Sequence, residues 1–166
     1  MKEIKTIKNC LSKEDFTNIK NTLFSDYFPW YLNVGVNTST DNYTQFTHTF
    51  FNNHIQNSNL LDNLKPIINF LNPLALIRVK ANLLTKTNEI IKHGFHVDQN
   101  FKCTTAIFYV NTNNGYTEFE SGEKVYSEEN KLVIFDTFLK HSGTTCTDLN
   151  ERIVINFNFV EKVKWQ

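Results

Sequence analysis

Apolar residues first recur at helical spacing over Phe16, Ile19, Leu23 and Phe24. Just ahead of them, Ser12 reads as an N-cap, Asp15 as the acidic member of a capping box, and Leu11 with Phe16 as a hydrophobic staple. One amphipathic helix is therefore predicted to end at about Leu23. Pro29 biases Phe28 away from the helical region, so Phe28-Pro29-Trp30-Tyr31-Leu32 reads as a short extended segment. The polar stretch from Asn37 to Thr44 reads as loop and Phe46 to Phe51 as a strand. Leu60, Leu61, Leu64, Ile67, Ile68 and Leu71 outline a second amphipathic helix that Asn72-Pro73 stops.

Beyond Pro73 the period changes to two. Ile77, Val79, Ala81 and Leu83 share one strand face, and Arg78, Lys80 and Asn82 the other. Thr105, Ile107 and Tyr109 then alternate with Ala106, Phe108 and Val110. Asn113-Asn114-Gly115 and Glu120-Ser121-Gly122 are turn signals, Lys131 to Phe135 is a short strand, and Arg152 to Phe159 is a long one with Ile153, Ile155, Phe157 and Phe159 on its apolar side. Helices first and antiparallel strands afterwards predict a sandwich or open barrel backed by helices, not a parallel nucleotide-binding sheet.

With 166 residues the chain fits one domain, and it is long enough to bury a core without staples. Its 17 basic and 17 acidic side chains balance, which argues against a partner held mainly by long-range charge, such as nucleic acid. Cys10, Cys103 and Cys146 are odd in number and lack paired metal spacing, so free thiols are expected. The opening MKEIKTIKNC has no apolar core of a signal peptide, and no apolar run is long enough to span a membrane; a cytoplasmic location is expected.

Candidate chemistry is concentrated in His93-Gly94-Phe95-His96-Val97-Asp98. In an extended strand positions 96 and 98 point the same way, so the His96 imidazole and Asp98 carboxylate can meet one cation. A distant imidazole, His141 in Phe138-Leu139-Lys140-His141-Ser142-Gly143, can complete the set. Two imidazoles and a carboxylate on one face of an octahedron leave the other face open, the arrangement of non-haem Fe(II) oxygenases. Arg152 opens the last strand on the same face as Asn156 and Asn158, where its planar fork can hold a carboxylate inside a barrel.

On these residues the sequence from about Leu76 to Phe159 resembles the Fe(II)- and 2-oxoglutarate-dependent dioxygenases, in particular the prolyl-4-hydroxylase-like branch and its small phage-encoded relatives. The resemblance implies a double-stranded β-helix, or jelly-roll, with helical support over about residues 1–73 and the core over about 74–160. It assigns His96, Asp98 and His141 to iron and Arg152 to the distal carboxylate of 2-oxoglutarate. Thr104-Thr105-Ala106-Ile107-Phe108-Tyr109-Val110-Asn111 looks like the family strand whose Tyr also reaches that carboxylate, which points to Tyr109. Gly115-Tyr116-Thr117-Glu118-Phe119 resembles a strand that usually opens with paired glycines, of which one is present. Asn150-Glu151-Arg152 replaces the Gly-x-Arg common before the last strand.

What the resemblance implies is hydroxylation coupled to conversion of 2-oxoglutarate and dioxygen to succinate and carbon dioxide, with a peptidyl side chain such as proline as the leading substrate class. The alternatives are a small molecule or a nucleobase as substrate, or a non-catalytic metal-binding jelly-roll. Asn82, Thr105 and Asn158 are further candidates near the cosubstrate, each on the strand parity of Arg78, Tyr109 and Arg152 respectively. His93 reads as solvent-exposed, with a supporting or substrate-facing role as its alternative; Trp30 and Tyr31 read as core packing, with a substrate groove as theirs.

Overall fold

The computed structural model describes residues 4–36 and 43–162. Along the chain these form β1 (Lys5–Ile7), α1 (Lys13–Leu23), β2 (Tyr31–Val34), β3 (Thr44–Asn52), β4 (Ile55–Gln56), a 3-10 helix (Asn59–Leu64) and α2 (Lys65–Leu71). There follow β5 (Ala75–Thr85), β6 (Thr104–Tyr109), β7 (Tyr116–Phe119), β8 (Lys124–Tyr126), β9 (Lys131–Asp136), β10 (His141–Gly143) and β11 (Glu151–Val160). Residues 37–42 of the predicted loop lie outside the described residues.

The first helix forms as its sequence predicts. The Ser12 hydroxyl accepts from the Asp15 amide at 3.1 Å and donates to the Asp15 carboxylate at 2.8 Å, while Phe16, Ile19 and Leu23 are buried. The second predicted helix is instead two pieces. Pro66 has no amide hydrogen and fits only the first turn of a helix, so the chain runs as a 3-10 helix to Leu64 and starts α2 afresh around Pro66. Asn72, left-handed at φ 46°, closes it.

All strand pairs are antiparallel. The large sheet runs β1-β9-β6-β11-β5-β3-β2, with β4 beside β3, and a small sheet runs β10-β7-β8. This is a jelly-roll of the double-stranded β-helix type, with both helices packed on the outer face of the large sheet. There Phe16, Ile19, Leu23, Leu64 and Ile67 meet Val79, Ala81, Ala106, Phe108, Ile155 and Phe157. Strand β1, which pairs Lys5–Ile7 with β9, has no counterpart in the sequence pattern; three residues are too few for alternation to register.

The inner face of β5 and β11 is polar. Antiparallel register sets Arg78 opposite Asn158, Lys80 opposite Asn156, Asn82 opposite Val154 and Leu84 opposite Arg152. These pairs floor the space between the two sheets. Beside them Ile107, Tyr109, Phe119, Val125, Val133, Phe135 and Val154 form a second apolar cluster.

Candidate metal centre

A cavity of about 320 Å³ opens between the sheets, with His96, Asp98 and His141 at one end and Arg152 and Thr117 among its lining residues. The ligand atoms of His96, Asp98 and His141 all lie within 4.8 Å of one another. His96 and Asp98 do not lie on a strand, contrary to expectation. They sit in an irregular segment joined to β10 by a two-way bridge, in which the His96 amide donates to the His141 carbonyl and the His141 amide to the His96 carbonyl, both at 3.0 Å. That bridge brings the two imidazoles together at a tilt, 4.6 Å between centroids, and without strand parity the His96 Nε2 still lies 3.9 Å from Asp98 Oδ1.

Each imidazole has its other nitrogen accounted for. His96 Nδ1 lies 3.3 Å from the Gly94 carbonyl and His141 Nδ1 3.2 Å from the Leu139 carbonyl. Donation from Nδ1 to a carbonyl leaves Nε2 as a lone-pair donor toward the cluster. The His141 Nε2 is buried without a hydrogen-bond partner, the position of an atom that accepts a cation. Burial pulls the His141 pKa down, against the pull of Asp98, which keeps the ring neutral and able to ligate.

Asp98 is fixed from two sides. Arg78 donates to its Oδ1 at 2.7 Å, and the Asn158 amide donates to Oδ2 at 3.1 Å. Burial alone would raise this carboxyl, but Arg78, then His141 and Asn158, bring it down to about 2. Asn158 also donates to Thr105 Oγ1 at 3.0 Å, and the Arg78 Nε donates to Asn158 Oδ1 at 2.9 Å. A closed hydrogen-bonded set thus presents Asp98 to the site. Its donor set, two imidazoles and one carboxylate with open directions, fits Fe(II) and related divalent ions.

Away from the triad stands a buried cation without an anion. Arg152 is 3% exposed, and no carboxylate among the described residues pairs with it. Its Nε donates to Ser127 Oγ at 2.8 Å, its Nη2 to Thr117 Oγ1 at 3.3 Å, and its guanidinium carbon sits 5.7 Å from the Tyr109 ring centre. Burial lowers its pKa, with Tyr109 acting the other way. Gly115 makes room for it: a Cβ there would lie 2.6 Å from Arg152 Cδ. The single glycine kept from the resembled pair is the one that this side chain needs.

The structure distributes the other candidates unevenly. Tyr109 is fully buried and does not line the cavity; it donates to Thr117 Oγ1 at 2.9 Å and so acts beside Arg152. Asn158 and Thr105 also stay out of the lining, bonded to Asp98 and to each other. Asn82 does line it. His93 is buried at 4% and lines the cavity, which corrects the expected solvent exposure; its amide donates to the Gly143 carbonyl and Tyr43 packs edge-on against its ring. Trp30 packs on Phe28 and donates to the Leu23 carbonyl, while Tyr31 is exposed on β2; neither lines the cavity. Sequence reasoning passed over Arg78, Lys80, Thr117 and Ser127. The first two had been assigned the right face, but the sequence carries no signal that this polar face floors a cavity instead of meeting solvent.

No protein-family model and no curated protein matches the sequence. Solved structures do match the fold. A prolyl hydroxylase from Trichoplax adhaerens, solved with a peptide fragment of the hypoxia inducible factor oxygen degradation domain, superposes with a TM-score of 0.70 at 11% identity, covering 95% of this chain and 83% of that one. A 2OG-Fe(II) oxygenase family oxidoreductase from Burkholderia pseudomallei gives 0.68 at 10% identity, covering 95% and 84%. The non-haem α-ketoglutarate-dependent epimerase SnoN from nogalamycin biosynthesis gives 0.68 at 11%, covering 96% and 79%. At such identities the likeness is one of fold, and chemistry has to be argued from the site. No helix among the described residues is long and apolar enough to cross a membrane.

Proposed function

We propose that this chain is a single-domain Fe(II)- and 2-oxoglutarate-dependent oxygenase of the prolyl-4-hydroxylase-like branch, acting in the cytoplasm, the host's if the chain is phage-encoded. The observation that carries the reading is one cavity that combines a His-His-Asp set with a buried arginine that no carboxylate among the described residues pairs with. A buried charge without a partner is costly, so a dicarboxylate that bridges Arg152 and the metal accounts for both features at once.

His96, Asp98 and His141 would hold the iron. Arg78 and Asn158 hold Asp98 in its ionised, ligating form, and the two backbone carbonyls aim the imidazoles. Arg152, steadied by Ser127, Thr117 and the Tyr109 ring, takes the distal carboxylate of 2-oxoglutarate through its planar fork. Bound iron and 2-oxoglutarate together supply the oxidant for C–H hydroxylation, consuming dioxygen and releasing succinate and carbon dioxide. The chain contributes position and shelter from water.

For the substrate we favour a peptidyl side chain such as proline, on the likeness to the Trichoplax enzyme and its bound peptide. The test is turnover. Protein given Fe(II), ascorbate and 2-oxoglutarate should release succinate in step with oxygen uptake, faster with proline-containing peptides, and Asp98→Asn should release none. Metal-loaded, folded protein that never forms succinate would reduce the chain to a metal-binding jelly-roll. Succinate release unchanged by prolyl peptides but raised by small acids or nucleosides would move the substrate class.

A further inference from the structure

The floor between the two ends of the cavity carries a second cation. Lys80 lines the cavity on β5, directly opposite Asn156 on β11 and one step along the same face from Asn82. No carboxylate among the described residues pairs with it. Asp98, the carboxylate among the described residues lining the cavity, is ion-paired with Arg78 at 2.7 Å and accepts from Asn158 at 3.1 Å. Flanking Lys80, the side-chain oxygens of Asn82 and Asn156 are buried with no hydrogen-bond partner. Buried polar groups are nearly always satisfied, so a cation and two acceptors left open on one wall mark a ligand surface.

We infer that Lys80, Asn82 and Asn156 form a second anion subsite, which takes a carboxylate of the substrate to be oxidised while the two amide oxygens accept from an N–H or O–H next to that carboxylate. The inference rests on the oxygenase reading for the word substrate. On that reading the two acid ends of 2-oxoglutarate are already assigned, one to Arg152 and one to the metal, and neither answers Lys80. Cavity charge agrees: among the described lining residues, Arg78, Lys80 and Arg152 stand against one carboxylate, Asp98. Burial, and then Arg78, disfavour the charged amine, and a bound anion relieves both. The ligand chemistry is a carboxylate with a donor a few bonds away, as in a free amino or hydroxy acid, or in an acidic residue of a peptide with its backbone N–H.

The experiment uses full-length protein loaded with Zn(II) and 2-oxoglutarate, which cannot turn over, and follows the Lys80 Nζ resonance in lysine-labelled samples. Probes are L-proline, L-prolinamide and the blocked peptide acetyl-Glu-Pro-amide. Saturable movement of the Lys80 signal with L-proline or with the acidic peptide, and none with prolinamide, is the expected result; whichever carboxylate acts names the source. Lys80→Met should weaken that probe about tenfold or more, the loss of one charge-assisted hydrogen bond, with Lys80→Arg retaining it. In Lys80→Met, 2-oxoglutarate affinity should stay within about threefold of wild type.

No saturable shift with either carboxylate overturns the proposal, and the wild-type titration decides this even if a variant fails to fold. So does a Lys80→Met variant that loses 2-oxoglutarate as completely as Arg152→Met, since Lys80 would then serve the cosubstrate. Failure of the metal-loaded wild type to bind 2-oxoglutarate would instead sink the oxygenase reading. The carboxylate titration run without cosubstrate would still decide the Lys80 subsite.

Discussion

Near the triad the cavity's cation has its anion, and near Arg152 it does not. Arg78 and Asp98 form a 2.7 Å ion pair, buttressed by Asn158 and Thr105, whose geometry is complete within the protein. Arg152 is buried more deeply than Arg78, yet its contacts are hydroxyls and an aromatic ring. One region holds a carboxylate of the chain itself in ionised form; the other holds a guanidinium that no carboxylate among the described residues answers. The same cavity therefore carries one guanidinium with its carboxylate and one that no carboxylate among the described residues answers. Removal of either charge should have opposite effects on the empty protein.

The largest effect is expected at Asp98. Asp98→Asn strips a metal ligand and leaves Arg78 without its anion, so unfolding free energy should fall by about 3 kcal/mol, and Mn(II) binding by calorimetry should vanish. At Arg152 the sign of the stability change reverses. Arg152→Met removes an unpaired buried charge, so denaturant midpoints of ligand-free protein should hold or rise, while 2-oxoglutarate affinity drops about 100-fold, two strong hydrogen bonds' worth. A loss of stability in both variants alike would erase the distinction between the regions.

Gly115→Ala sharpens the contrast without touching a charge. Its new methyl would press on Arg152 Cδ, so 2-oxoglutarate should bind about tenfold more weakly with Mn(II) affinity unchanged, as paired titrations can show. The smallest effect concerns Lys80, whose pKa is pulled to about 8 by burial and by Arg78. In the unfolded chain it returns to about 10.4. Between these values the unfolded state binds more protons, so stability should rise with pH across that window. Lys80→Met should lack this component, and urea midpoints of the two proteins measured from pH 7.5 to 10 check it.

The fold and the ligand trio were legible in the sequence for different reasons. Alternation over Ile77–Leu83 and Ile153–Phe159 reports burial of one face directly, and that face is where the helices pack. His96, Asp98 and His141 were found by chemical type and resemblance, although the strand geometry invoked for the first two is in fact a bend held by a backbone bridge to His141. Pro66 was the signal that split the second helix, and it stood in plain view. Thr117 and Ser127 were hidden because a hydroxyl on a short strand or in a turn reads the same whether it meets water or Arg152. Arg78 and Lys80 show the general limit: parity tells which residues share a face, while only tertiary structure tells what that face encloses.

The central claim is that one cavity binds iron through His96, Asp98 and His141 and 2-oxoglutarate through Arg152. It is tested most directly by anaerobic titration of metal-free protein with Fe(II), with and without 2-oxoglutarate, following the visible metal-to-ligand charge-transfer band. The account predicts a band only when both are present, absent in His96→Ala and demanding far more 2-oxoglutarate in Arg152→Ala. Folded wild-type protein with no band at any concentration, or a band indifferent to Arg152, would contradict it.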